Sequence, residues 1–187
     1  FKNEKGEKKE VISFDEEGVC SACVYNKEKE TGINWDEREN KLEKLLSQFR
    51  SNDGSYDVIV PGSGGKDSAF ASHILKYKYG MNPLTVTWSP HMYTDIGWKN
   101  MQEWMHTGGL DNILYTPNGV LHREMTKNAF NNLLHPFQPF ICGQRIIGPA
   151  MAKKFGVKLV MYGENQAEYG NAIEENTNPI MNMDYFS

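Results

Sequence analysis

The chain has 187 residues and a formal net charge of −4. Its hydrophobic fraction of 39% is sufficient for one α/β domain with a small appendage. No apolar run approaches the roughly 18 residues that span a membrane, and no secretory signal peptide is visible. Three cysteines do not make a disulfide scaffold, so we expect a cytoplasmic protein. The acidic balance argues against a nucleic-acid partner.

The N-terminal part of the chain reads as a small module over residues 1–50. Residues 11–25 contain a strand-like piece followed by a Cys-x-x-Cys motif, Cys20 to Cys23. Trp35 to Phe49 has the apolar spacing of an amphipathic helix. The polar stretch Ser51 to Ser55 then predicts a break before a second domain over residues 55–187.

Apolar strands and helical patterns alternate through this second domain. The predicted strands cover 56–60, 83–88, 112–115 and 157–162, and the predicted helices cover 67–79, 96–107, 120–134 and 143–155. Strand and helix repetition with short links predicts an α/β fold, with a parallel, doubly wound sheet covered on both faces. Such sheets bind ligands beyond the carboxyl ends of their strands, where the strand order switches.

Both ends of the chain look cut, so we expect it to be part of a longer protein. The chain begins without Met, and the Asn-rich segment from residue 165 to residue 182 shows no clear periodicity. The domain over 55–187 is therefore expected to be truncated at its C-terminal end.

The hexapeptide Ser63-Gly64-Gly65-Lys66-Asp67-Ser68 follows the first of these strands and opens a helix. A Gly-rich turn at a helix N-terminus brings backbone N–H groups together, and the helix dipole adds to their attraction for phosphate. A Walker A loop would need Gly at position 60 and Ser or Thr at position 67, where this chain has Val60 and Asp67. The hexapeptide instead resembles the pyrophosphate loop of the ATP pyrophosphatase superfamily, which splits ATP between its α and β phosphates.

A narrower resemblance, to the N-acetyl sugar amidotransferases, extends over about residues 11 to 170. The matching segments are Phe14 to Cys23, Ser63 to Ser68, Val86 to Trp88, Tyr93 to Gly97, His135 to Phe140 and Tyr162 to Asn165. These enzymes act in bacterial surface-polysaccharide and flagellar-glycan biosynthesis, including routes to pseudaminic-acid-type sugars. The resemblance implies that AMP is transferred from ATP to the oxygen of a sugar acetamido group, which ammonia then converts to an acetamidino group.

The resemblance also implies roles for individual residues, with ATP and Mg²⁺ as cofactors. Ser63, Gly64, Gly65, Lys66 and Ser68 would grip the pyrophosphate, and Asp67 would organise the loop or a Mg²⁺ ion.

Further residues follow the other strands. Thr87 and Trp88 would flank the adenine, and Gly163 would contact the nucleotide. Glu164 would position ammonia or Mg²⁺, or simply cap the next turn. The remaining polar residues near strand ends are candidates for contacts with an N-acetylated sugar or nucleotide-sugar: Tyr93, Asp95, Gln138, Arg145 and Asn165.

No glutaminase signature is evident, so the resemblance implies a partner subunit or free ammonia as the nitrogen source. Cys20 and Cys23 have the spacing of half a zinc site, and two free thiols are the alternative. In the resembling family another such pair commonly precedes this one, and residues 1–10 contain no Cys.

Two alternative functions stay open. A tRNA-thiolating enzyme of the same superfamily would hold an iron–sulfur cluster on Cys20, Cys23 and Cys142. A regulatory module would bind the nucleotide without turnover.

Overall fold

A computed structural model describes residues 12–164 of the chain. Leu42–Glu164 form one compact unit, and the described residues 12–41 belong to another. The predicted boundary between residues 50 and 55 stays a prediction.

The larger unit contains a single parallel sheet within the described residues. Its strands are β1 (Val58–Pro61), β2 (Pro83–Trp88), β3 (Asp111–Tyr115) and β4 (Leu159–Val160). They lie side by side in the order β3-β2-β1-β4. Val58 is paired with Pro83 of β2 on one side and with Leu159 of β4 on the other. The strand order therefore switches direction at β1.

Helices occupy the connections between the strands and precede the sheet. Their bounds are α1 (Ser21–Thr31), α2 (Trp35–Ser47), α3 (Lys66–His73), α4 (Asp95–His106), α5 (Gly119–Leu133) and α6 (Gln138–Phe155). A π-helical segment, Ile74–Lys78, continues α3. None of the helices in the described part of the chain is long and apolar enough to cross a membrane.

The sheet is buried on both faces because alternate residues of each strand point to opposite sides. Ile59 of β1 packs with Leu84 and Val86 of β2 in a core that includes Ile147 of α6. Val58 and Val60 face the other way, into a second core that includes Leu46 of α2, Leu75 and Met81. Two cores on one parallel sheet confirm the predicted doubly wound α/β class.

Four elements differ from the sequence-based prediction. The helix α1 was not predicted, because its sequence has no periodic apolar face and none of its residues is buried. Helix α6 begins at Gln138 rather than at 143, with Pro139 in its first turn, where the missing N–H costs nothing. The predicted strand over 157–162 is reduced to the two residues of β4. The predicted helix over 67–79 changes to π-helical geometry, in which Tyr79 N–H donates to Ile74 O.

Candidate pyrophosphate-loop site

The hexapeptide lies where the strand order switches, between the carboxyl end of β1 and the start of α3. Residues 62–65 make the turn, and the backbone N–H of Gly62 donates to Val86 O of the neighbouring strand β2 at 2.9 Å. Ligands of open parallel sheets bind in the crevice that such a switch creates. The tertiary structure therefore places the loop at the expected ligand position of this fold.

Two glycines, Gly62 and Gly64, allow the turn to pack tightly. A Cβ on Gly62 would lie 2.3 Å from the Cβ of Ser68, and one on Gly64 would lie 2.7 Å from the Cα of Met101 in α4. Gly64 also has φ +83°, a conformation that side chains disfavour. Gly65 is different, because a Cβ there would meet no atom within 4 Å. The open side of the turn is therefore at Gly65.

The first turn of α3 has no side-chain cap. Gly65 is its N-cap residue and has no side chain to accept a hydrogen bond, whereas α4 and α5 are capped by the side chains of Thr94 and Asn118. The first N–H groups of a helix need acceptors from outside the helix. An anion such as phosphate would supply them, with the helix dipole adding to the attraction.

The three side chains that open α3 combine positive, negative and hydroxyl groups. The Lys66 side chain is 88% exposed, and its Nζ lies 2.6 Å from Oδ1 of Asp67. The hydroxyl of Ser68 donates to Gly65 O at 3.1 Å and so closes the turn. Lys66 is thus placed to meet an anion from solvent, and Ser68 is placed to hold the loop.

Two buried hydrogen bonds link the first turn of α3 to α4. The Ser72 hydroxyl donates to Ser68 O at 2.8 Å and accepts from Nε1 of Trp104 at 2.8 Å. The Trp104 ring also lies 3.0 Å from where a Cβ of Gly62 would stand. Because Ser72 and Trp104 are both buried, these two hydrogen bonds fix the first turn of α3 against α4.

The turn after β4 packs directly on the loop. A Cβ on Gly163 would lie 2.4 Å from Asp67 O and 2.7 Å from Ser68 N. The preceding Tyr162 hydroxyl donates to Arg145 O of α6 at 3.4 Å, and burial raises the pKa of this tyrosine. The structure therefore brings Gly163 against the loop, with Glu164 exposed next to it, and Arg145 contacts the neighbouring Tyr162 through its backbone carbonyl.

The two residues predicted to flank adenine lie at the end of β2. Thr87 is completely buried, and its hydroxyl accepts a hydrogen bond from Nδ2 of Asn112. Trp88 stacks on Tyr115 at 4.9 Å, and a Cβ on Gly143 would lie 2.1 Å from the indole ring. A ligand cannot reach Thr87 in this structure, and the Trp88 ring packs against Tyr115 and the backbone at Gly143. The indole N–H of Trp88 is buried and has no hydrogen-bond partner.

The remaining predicted substrate residues are spread over the adjoining elements. Tyr93 packs edge-on against Trp98, and its buried hydroxyl has no hydrogen-bond partner. Asp95 is exposed in the first turn of α4, and Gln138 opens α6 with its Nε2 4.0 Å from Cys142 Sγ. Asn165 lies outside the described residues. The assignment of these residues as substrate contacts therefore rests on the sequence.

Cys20 caps the start of α1, where its sulfur accepts from the backbone N–H of Cys23 at 3.4 Å. This hydrogen bond lowers the pKa of the Cys20 thiol. Among residues 12–164 there is no group of three or more His, Cys, Asp or Glu side chains arranged to hold a metal ion. The predicted zinc site therefore has no support from the structure.

Sequence reasoning missed the residues that shape the loop from outside it. Gly62 precedes the hexapeptide. Met101 and Trp104 of α4 lie 33 or more residues after Ser68. Gly62 could have been found, since it stands between a strand and a phosphate-loop motif. The contacts that α4 makes with the loop could not have been found from the sequence, because nothing in the sequence pairs this helix with Gly64.

Two solved structures share the architecture described above. NMN synthetase from Francisella tularensis aligns with 73% of this chain and 57% of its own, with TM-score 0.54 and 17% identity. The NH3-dependent NAD synthetase from Campylobacter jejuni aligns with 73% of this chain and 59% of its own, with TM-score 0.56 and 14% identity. The chain has the pyrophosphate-loop fold. At these identities the similarity is one of fold.

Sequence comparison adds one distant relative. An uncharacterized protein from Methanocaldococcus jannaschii is 31% identical over 78 residues, which are 42% of this chain and 27% of that protein. No protein-family model matches the chain. The chain thus spans less than two thirds of the length of each of these three proteins.

Proposed function

We propose that the chain is an ATP-dependent amidotransferase that converts the acetamido group of an N-acetylated sugar to an acetamidino group. The observation that carries the proposal is the uncapped N-terminus of α3, which lies at the strand-order switch with Gly163 packed on its first turn. The fold shared with an NH3-dependent synthetase supports a reaction in which ammonia is the nitrogen donor. The sugar substrate rests on the sequence resemblance.

ATP fits the loop by its phosphates. The N–H groups of the first turn of α3 and the exposed Lys66 ammonium would bind the β and γ phosphates, with Ser63 as a hydroxyl donor. The Ser68 hydroxyl would have to turn away from Gly65 O to donate to a phosphate as well. The absence of a Cβ at Gly65 leaves the room that the pyrophosphate needs. Interactions on the departing pyrophosphate lower the barrier because they strengthen as negative charge develops on it.

A magnesium ion fits the carboxylates beside the loop. Asp67 is partly exposed at the start of α3, and Glu164 follows Gly163 on the turn against it. Carboxylate oxygens together with phosphate oxygens and water form the usual Mg²⁺ shell. When bound there, the ion neutralises charge on the phosphates.

ATP is needed because an amide carbon is a poor electrophile. The amide oxygen attacks the α phosphorus, the bond to the β phosphate breaks, and the nitrogen releases its proton, which gives an O-adenylyl imidate and pyrophosphate. Ammonia then adds to the imidate carbon, the bond between that carbon and the oxygen breaks, and AMP leaves with the oxygen. The net products are the acetamidino sugar, AMP and pyrophosphate. The site must exclude water from the imidate, which would otherwise return to the amide.

The remaining residues would position the sugar and the nucleotide. Arg145 lies beside the turn after β4, and its guanidinium would pair with a phosphate or a sugar hydroxyl. Tyr93, Asp95, Gln138 and Asn165 are proposed sugar contacts, and Trp88 is proposed to flank the adenine. Either a glutaminase subunit or free ammonia would be the nitrogen source.

Product analysis tests the proposal. The full chain is incubated with α-labelled ATP, Mg²⁺ and ammonium, with and without a panel of N-acetylated sugars and nucleotide-sugars. AMP and pyrophosphate formed only with a sugar would support the amidotransferase. ADP and phosphate would contradict the loop assignment. ATP binding without turnover on any sugar would point to a regulatory module or, if tRNA restored turnover, to the thiolation enzyme.

A further inference from the structure

Helix α4 has two buried residues, Met101 and Trp104, and both lie against the loop. A Cβ on Gly64 would lie 2.7 Å from the Cα of Met101, and one on Gly62 would lie 3.0 Å from Cη2 of Trp104. Both glycines belong to the turn between β1 and α3. The buried face of α4 is therefore the face that covers this turn.

Trp104 connects the two ends of the loop. The tip of its indole ring lies beside Gly62, which precedes the hexapeptide. Its Nε1–H donates to the Ser72 hydroxyl at 2.8 Å. That hydroxyl donates in turn to the backbone oxygen of Ser68, the last residue of the hexapeptide, at 2.8 Å. One side chain thus links the end of β1 with the first turn of α3.

This link leaves little room for movement. Trp104 is 5% exposed and Ser72 is 0% exposed. Hydrogen bonds that are shielded from water are electrostatically stronger than exposed ones, and a buried group that loses its partner is costly. The backbone packs equally closely here, because a Cβ on Gly62 would stand 2.3 Å from the Cβ of Ser68. The distance between the two ends of the loop is therefore set by buried contacts.

Phosphate binding depends on this distance. The first N–H groups of α3 have no side-chain cap, and they must converge on one anion to bind it. Hydrogen bonds to charged groups are short, and hydrogen bonds weaken steeply as they bend. A small shift of the first turn away from Gly62 would lengthen or bend several of these bonds at once.

We propose that Trp104 is a positioning residue for the pyrophosphate loop and acts through Ser72. The inference rests on the proposed function, because it takes the loop to bind the β and γ phosphates of ATP. Trp104 makes no contact with the nucleotide itself. Its N–H holds the backbone that binds the pyrophosphate, so the N–H contributes to phosphate affinity as well as to stability.

Binding of inorganic pyrophosphate and of AMP to the full chain, each with Mg²⁺ and measured by calorimetry, tests this role. Trp104→Phe keeps a ring against Gly62 but removes the N–H. We expect this variant to bind pyrophosphate at least about fivefold more weakly than the wild type. Its affinity for AMP should be unchanged, because AMP has no β and γ phosphates. Ser72→Ala breaks the same link and should give the same result, which keeps the test decisive if Trp104→Phe folds poorly.

The double variant tests the route through Ser72. Trp104→Phe combined with Ser72→Ala should bind pyrophosphate no more weakly than the weaker of the two single variants, because both remove the same hydrogen bond. Additive losses would overturn the proposed route.

Two control variants separate positioning from stability. Trp98→Phe makes the same substitution in the same helix, at a tryptophan that is 44% exposed and packs on Tyr93. Ile147→Val removes a buried methylene group from the core that α6 shares with the sheet, and so lowers stability away from the loop. Both controls should bind pyrophosphate like the wild type, and thermal unfolding confirms that each variant is folded at the assay temperature.

Three results would overturn the inference. The first is wild-type pyrophosphate affinity in both Trp104→Phe and Ser72→Ala. The second is an equal loss of AMP affinity in these variants, which would indicate general damage to the site. The third is an equal loss of pyrophosphate affinity in Ile147→Val, which would make lowered stability the cause.

A turnover assay separates this inference from the proposed function. If no sugar supports turnover but pyrophosphate binding depends on Trp104, the positioning role stands and the amidotransferase fails. If a sugar supports release of AMP and pyrophosphate while pyrophosphate affinity is independent of Trp104, the amidotransferase stands and the positioning role fails. If the wild type does not bind pyrophosphate, the loop assignment fails and both proposals fail with it.

Discussion

The glycines of the hexapeptide provide a sharp test, because they should fail in different ways when replaced by Ala. Gly64 has φ +83°, and a Cβ would stand 2.7 Å from the Met101 Cα and 2.9 Å from its backbone N. Left-handed strain costs about 1–2 kcal/mol, and forcing an extra carbon against backbone costs about 1–3 kcal/mol. We expect Gly64→Ala to lose at least about 2 kcal/mol of unfolding free energy and also to lose ATP binding.

Gly65→Ala should separate binding from stability. Its φ is −70°, and a Cβ would meet no atom within 4 Å, so the cost in unfolding free energy should stay below about 1 kcal/mol. The added methyl group would nevertheless occupy the open side of the turn, where the pyrophosphate is proposed to lie. We therefore expect near-native stability with ATP affinity reduced at least tenfold.

Gly54→Ala controls for backbone strain. Gly54 has φ +84°, but a Cβ there would meet nothing within 4 Å, and the residue lies in the polar stretch before β1. Strain alone, about 1 kcal/mol, should lower the melting temperature by roughly 2–4 °C and leave ATP binding intact. Gly64→Ala should lower it by roughly 4–8 °C or more.

Thermal unfolding and calorimetric ATP binding on the same preparations decide the outcome. Wild-type ATP affinity in Gly65→Ala would refute the assignment of the open side of the turn to phosphate. A Gly64→Ala variant no less stable than Gly54→Ala would refute the packing argument for α4.

Three further outcomes are expected. Lys66→Ala should abolish release of AMP and pyrophosphate while the melting temperature stays within about 1 °C, because exposed ion pairs contribute little. Trp104→Phe should lower the free energy of unfolding by roughly 1–3 kcal/mol, as measured by denaturant unfolding. The substitution removes the buried N–H from which the Ser72 hydroxyl accepts a hydrogen bond, and it leaves a void. Burial, together with the charge of His91, lowers the pKa of His122 below 6.5. The unfolded chain thus binds the proton more readily than the folded one. The free energy of unfolding should therefore fall as pH drops below 6.5, and it should fall less in the His122→Phe variant.

The sequence by itself determined the fold class and the position of the loop. Each strand of the second domain is a short apolar run, and each of the first three is followed by a helical pattern, which predicts a parallel sheet. Ser63 to Ser68 could be recognised because a phosphate loop is a local device, made from consecutive backbone N–H groups. For β2, a short run that is buried on both faces of the sheet, the prediction matched the structure residue for residue.

Only the tertiary structure decided which distant residues shape the site. Gly163 packs on the first turn of α3, Met101 limits Gly64, and Tyr79 closes a cleft with Tyr162. Thr87 lies near the carboxyl end of the predicted strand, but it is completely buried and bonded to Asn112, so a ligand cannot reach it. Such contacts join residues 25 to 100 positions apart, and the hydrophobic pattern that forms each helix carries no information about its neighbour. The pattern fixes which face is buried, whereas packing decides what that face meets.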